Sequence, residues 1–155
     1  MMSFDEIEQR LTSIEAIAAA FDPATMDAAA RSRDLLDLAE AVLENWIIAR
    51  ELEPTTTERE GFRLLALHRQ ACKGEPSFNA CRETCRELCY YHNLILSDPG
   101  HPDLDKRLKL ATLVAKHLLL FVSGKMQVEN LGEFCCSSRP IRGSDPEVVA
   151  EPVAD

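Results

Sequence analysis

Residues 64–96 read LLALHRQACKGEPSFNACRETCRELCYYHNLIL, and this stretch decides the fold. Two runs with apolar residues three and four apart flank Lys73-Gly74-Glu75-Pro76-Ser77. Residues at that spacing share one face of a helix. Glycine closes helices in the left-handed conformation, and so short a connection makes its two helices antiparallel neighbours. The stretch therefore reads as a helical hairpin. Its first arm carries Leu64, Leu65, His68 and Cys72 to the turn. Its second arm runs from Phe78 to about Leu96 with Ser77 as the expected N-cap, and sets Cys81, Cys85, Cys89 and His92 on one strip beside Phe78, Leu88 and Ile95. Arg59, Arg63 and Gln70, and likewise Asn79, Arg82, Glu83, Arg86 and Asn93, fall on the opposite faces, so both sulfur–imidazole strips point inward.

Helix signals continue on either side of the hairpin. Ser3 with Glu6 spells a capping box, and helix 1 is expected from about Phe4 to Phe21 with Ile7, Leu11, Ile14, Ala18 and Phe21 buried. Asp22-Pro23 supplies an N-cap and a proline at the first helical position, opening a long helix 2 to Leu52 before Pro54. Its inner stripe is Leu35, Leu38, Ala39, Val42, Trp46 and Ala49, and Thr57 with Glu60 repeats the capping pattern ahead of helix 3. The breaker Ser97-Asp98-Pro99-Gly100-His101-Pro102 separates helix 4 from helix 5, expected from about Asp103 to Val122 as the central element. Ser123-Gly124 should weaken it, with a short helix following through Phe134. The expected fold is an all-α, up-and-down bundle of about five helices, a single domain over residues 1–134 with a mobile acidic tail over 135–155.

Composition narrows the function. The chain has 155 residues, only 6 Gly and a net charge of −9, which is the size and make-up of one helical domain. Residues 1–60 hold 14 acids against 5 bases, residues 61–142 hold 8 against 12, and residues 143–155 hold 4 against none. Nucleic-acid binding needs a coherent basic face, which this distribution does not supply. The basic middle suits the acidic N-terminal half, the acidic tail or an acidic partner protein instead. The most apolar stretch, Leu110 to Val122, covers 13 residues and includes Lys116 and His117, too short for a bilayer. Without a basic-then-apolar start no secretory signal is expected, and the expectation is a cytoplasmic protein whose cysteines are thiols or metal ligands.

Thiolate and imidazole are ligands for soft and borderline transition metals. Folding the hairpin brings His68, Cys72, Cys81 and Cys85 to one place, each helical step moving about 6 Å, with Cys89 and His92 as a spare or second set. The expected function is a metal- or Fe–S-handling accessory or sensor, with Zn, Cu(I) or an Fe–S cluster as the cofactor. The arrangement lacks the Cys-x2-Cys knuckles of zinc ribbons and the tight cysteine runs of ferredoxin-type clusters. Two further readings use the same residues. In one the cysteines are small hydrophobes filling a helix interface, and the protein is a metal-free interaction module regulating a larger partner. In the other they form a thiol redox switch. No Gly-rich phosphate loop, nucleophile elbow or paired-carboxylate pattern is present, so a binder is expected rather than an enzyme. Cys135-Cys136, His101 and His117 are weaker candidates: a surface pair, a solvated loop residue and a core histidine.

Overall fold

The computed structural model describes residues 1–20, 22 and 26–129. They form an all-α bundle of α1 (Phe4–Ala19), α2 (Ala28–Ala49), α3 (Arg63–Cys72), a 3-10 turn (Pro76–Cys81), α4 (Arg82–Ser97) and α5 (Leu104–Val128). Helix α5 packs against α1, α2 and α4, while α2 also packs against α1, α3 and α4. The expected central role of α5 holds on its inner side, where Leu108, Ala111, Ala115, Leu118, Val122 and Met126 are buried. Its outer side leaves Leu113 and Leu120 exposed, and with them His117, which is not a core residue. Among the described residues no helix is long and apolar enough to cross a membrane.

The core is tied to the hairpin through one ring. Phe78, fully buried in the 3-10 turn, stacks at 4.5 Å on Trp46 of α2 and meets Phe121 of α5 edge-on at 5.5 Å. Arg63, at the start of α3, reaches Glu44 at 2.6 Å, Glu40 at 3.2 Å and the Thr55 carbonyl at 2.9 Å. These contacts fix α3 and the turn against α2 and thereby set where the hairpin's thiols stand.

Helix ends follow local chemistry, with some corrections. Ser3 caps α1, its hydroxyl accepting from the Glu6 N–H at 3.2 Å. Helix α2 starts later than expected because Asp27, not Asp22, caps it, accepting from the Ala30 N–H at 3.0 Å; Phe21 and Pro23 lie outside the described residues. It ends ahead of Pro54: Glu51 turns left-handed at φ 62°, with Leu52 N–H donating to Ile47 O at 3.1 Å and Glu51 N–H to Ile48 O at 2.8 Å. That pair of bonds is a Schellman closure.

Thr57 caps nothing, since its hydroxyl meets Thr55 at 2.8 Å. A tight turn stands there instead, with Glu60 at φ 56°, Gly61 at φ 84° and two 3.0 Å bonds between Arg59 and Phe62. Ser77 does not cap α4 either. Its hydroxyl donates to the Glu75 carboxylate at 2.8 Å, and a 3-10 turn opens the second arm. Helix α5 runs through Ser123-Gly124 because one helical glycine costs only about 1 kcal/mol while Val122 and Met126 anchor both sides. The expected short helix through Phe134, the Cys135-Cys136 pair and the tail over 135–155 lie outside the described residues.

Candidate functional site

His68 sits on the buried face of α3 and is only 6% exposed. Its Nε2 lies 2.7 Å from the Phe78 carbonyl. A carbonyl only accepts, so this nitrogen carries a proton and donates. The bond joins α3 to the 3-10 turn and points the imidazole at the sulfurs. Cys72, one turn further along α3, places Sγ 3.5 Å from Nε2 and 3.8 Å from Nδ1. Cys72 is half-buried, and Asn79 Oδ1 lies 3.8 Å from its sulfur. From the other arm Cys81 and Cys85 enter, 3% and 1% exposed. As a neutral thiol Cys81 donates to the Phe78 carbonyl at 3.2 Å.

These neighbours set the ionisation of the cluster. The Cys85 thiol donates to the Cys81 sulfur; burial opposes ionisation, His68 favours it, and the balance brings Cys81 from an ordinary 9.0 down to about 6. The same hydrogen bond, with burial, pushes Cys85 well above the ordinary thiol range. Burial works against charge on His68, but the Cys81 sulfur and the Phe78 carbonyl outweigh it and raise the imidazole above 6.5. Burial and then the Cys81 charge raise Cys72, against the pull of Arg82. At neutral pH the arrangement favours a Cys81 thiolate beside the His68 ring, with Cys72 and Cys85 protonated around it.

Of the six sequence candidates, His68, Cys72, Cys81 and Cys85 come together, and Cys89 and His92 do not join them. Burial above all, with Glu40 and Glu60 adding, pushes Cys89 up to about 12, so it stays a thiol. Its side chain faces a different groove, between Phe62 and Tyr90. His92 turns to α2, where Nδ1 meets Ser32 Oγ at 2.8 Å and the ring meets Phe62 edge-on at 6.0 Å. Burial, and then Arg33, lowers its pKa, so it remains a neutral structural histidine. Ser32→Ala removes the buried partner of that ring. It should destabilise the protein by about 1–2 kcal/mol, read as a lower urea midpoint at unchanged slope.

The arrangement holds residues that sequence reasoning passed over. Arg59, Arg69, Arg82 and Arg86 line a cleft of about 240 Å³ above Cys72 and His68, together with Leu65 and Asn79. Their positions beside the cysteine strips were legible, but as long charged residues they read as a solvated face. Ser32 gave no signal, because nothing local to it marks a partner 60 residues away. Among the described residues, no group of three or more His, Cys, Asp or Glu side chains already stands in metal-holding geometry. Comparison with known proteins finds no matching family model, no matching curated protein and no matching solved structure.

Proposed function

We propose that the protein is a small metal-handling accessory or sensor that binds one soft or borderline cation, Zn2+ or Cu(I), through His68, Cys72, Cys81 and Cys85. One observation carries the reading: on α3 Cys72 Sγ stands 3.5 Å from His68 Nε2, and from the second arm Cys81 hydrogen-bonds with both His68 and Cys85. Nitrogen and sulfur donors of one tetrahedral centre stand about 3.5 Å apart, given bonds of about 2.0–2.1 and 2.3 Å. The low pKa of Cys81 supports it, because a thiolate is the ligand and this one is available near neutrality. Ligation then takes side-chain rotation, a His68 ring nitrogen free of its proton, and the loss of the Cys72 and Cys85 protons. Uptake releases protons and strengthens as pH rises. Cys89 and His92 stay outside this ligand set, in thiol and neutral form.

The role is binding, carriage or sensing, the part that a set of imidazole and thiol donors supports. The test is metal analysis of tag-free protein after exposure to Zn2+ or Cu(I), alongside a Cys81→Ser/Cys85→Ser variant. The expected result is about one equivalent in the wild type and its loss in the variant. Folded wild type that takes up neither metal would refute the reading.

A further inference from the structure

In a chain of net charge −9, the cleft over Cys72 is lined by four arginines and no carboxylate. Arg59 comes from the tight turn before α3, Arg69 from α3, and Arg82 and Arg86 from α4, so three segments deliver positive charge to one opening. Arg86 is paired with Glu60 at 2.8 Å. Arg59, Arg69 and Arg82 are exposed and form no ion pair among the described residues. Cationic side chains left unpaired around a concave site attract anions, and guanidinium groups match carboxylates with paired donors. Cys72 is the thiol that lines the cleft, and Cys81, buried, does not. A ligand that uses both features carries carboxylates and a sulfur that can meet Cys72.

We propose that this cleft is a binding site for small carboxylate-bearing disulfides, which exchange onto Cys72 to give a mixed disulfide. The Cys72 sulfur attacks the nearer ligand sulfur; the Cys72–sulfur bond forms as the ligand's sulfur–sulfur bond breaks. The departing half leaves as a thiolate and takes up the proton that Cys72 gives up. The net change is one protein thiol and one disulfide converted to one mixed disulfide and one free thiol, with the ligand disulfide as oxidant. The arginines act by holding the disulfide against the Cys72 sulfur, which lines the same cleft. Arg69 and Arg82 are positioning residues in this step.

The reaction is followed on chelator-treated full-length protein, so its outcome is independent of whether the quartet binds metal. Protein is incubated with oxidised glutathione (anionic), bis(2-hydroxyethyl) disulfide (neutral) or cystamine (cationic), and adducts are timed by intact mass. Each rate is divided by that of the same disulfide with a free small thiol. The expected result is a single adduct at Cys72, formed at least tenfold faster with the anionic disulfide than with the neutral one and slower still with the cationic one. The advantage should shrink with added salt and fall about tenfold in Arg69→Gln/Arg82→Gln, whose exposed positions leave folding intact. Equal normalised rates for the three disulfides, an unchanged rate in the arginine variant, or an adduct that persists in Cys72→Ser would each overturn the proposal.

Discussion

Phe78→Ala should be the most damaging single substitution at the hairpin, lowering stability by about 3–5 kcal/mol, the usual range for emptying a buried aromatic site. The ring is fully buried and closes a stack of Trp46, Phe78 and Phe121 from α2, the 3-10 turn and α5. Truncation loses the apolar transfer energy and both ring contacts and leaves a cavity that three separate elements cannot jointly collapse. The same residue's carbonyl accepts from His68 at 2.7 Å and from the neutral Cys81 thiol at 3.2 Å. A loosened turn therefore carries the carbonyl away from both. Urea denaturation should show the stability loss, and a milder Phe78→Leu variant should keep the fold while blunting the low pKa of Cys81. A Phe78→Ala cost below about 1 kcal/mol would contradict the packing described.

His68→Gln should raise the pKa of Cys81 by one unit or more from about 6, converting the thiolate from the majority to the minority form near pH 6.5. The amide keeps a donor but supplies no charge, while the Cys85 thiol, the larger influence, still holds the value below 9.0. The effect on stability has a definite sign. Between about 6 and 9.0 the unfolded chain keeps the Cys81 proton that the folded protein has lost, so this residue's contribution is complete above 9.0 and disappears as pH falls through about 6. At pH 7.5 it amounts to about 2 kcal/mol. His68 acts oppositely, since its raised pKa adds stability that is full below 6.5 and is lost as pH rises through the folded value. The stability gap between wild type and Cys81→Ser should accordingly widen from pH 5.5 to 7.5, by less than the about 2 kcal/mol of Cys81 alone because the variant also loses the rise that Cys81 gives the His68 pKa; a gap that does not widen would contradict the low Cys81 pKa.

Periodicity exposed the helices because each must bury one stripe, and that requirement is written locally. The inward faces of α3 and α4 were legible from His68, Cys72, Cys81 and Cys85 alone, as was the inner stripe of α2 through Leu35, Leu38 and Trp46. Boundaries were less legible where two local signals compete. Thr57-Glu60 looks like a capping box, yet Glu60-Gly61 can adopt two successive positive φ values, and the tight turn they make displaces the helix start to Arg63. Ser77 looks like a cap, yet the carboxylate of Glu75 claims its hydroxyl. The candidate site divided for a different reason. A strip on a 16-residue helix spans more than one neighbour, so Cys81 and Cys85 face α3 while His92, two to three turns on, faces Ser32 of α2. The helix period gives the face, and only tertiary packing says which partner that face meets at each turn. The arginine cleft was obscured in the same way, because its charges are scattered in sequence and converge only when the hairpin closes.

The account rests on the hairpin making one acidic thiol beside an imidazole. The most direct measurement is the ultraviolet thiolate absorbance of the metal-free protein as pH is raised from about 5 to 8, in wild type and Cys81→Ser. One thiolate should appear with a midpoint of about 6 and vanish from the variant. A flat trace to pH 8 in the folded wild type, or a step of equal size in Cys81→Ser, would contradict it.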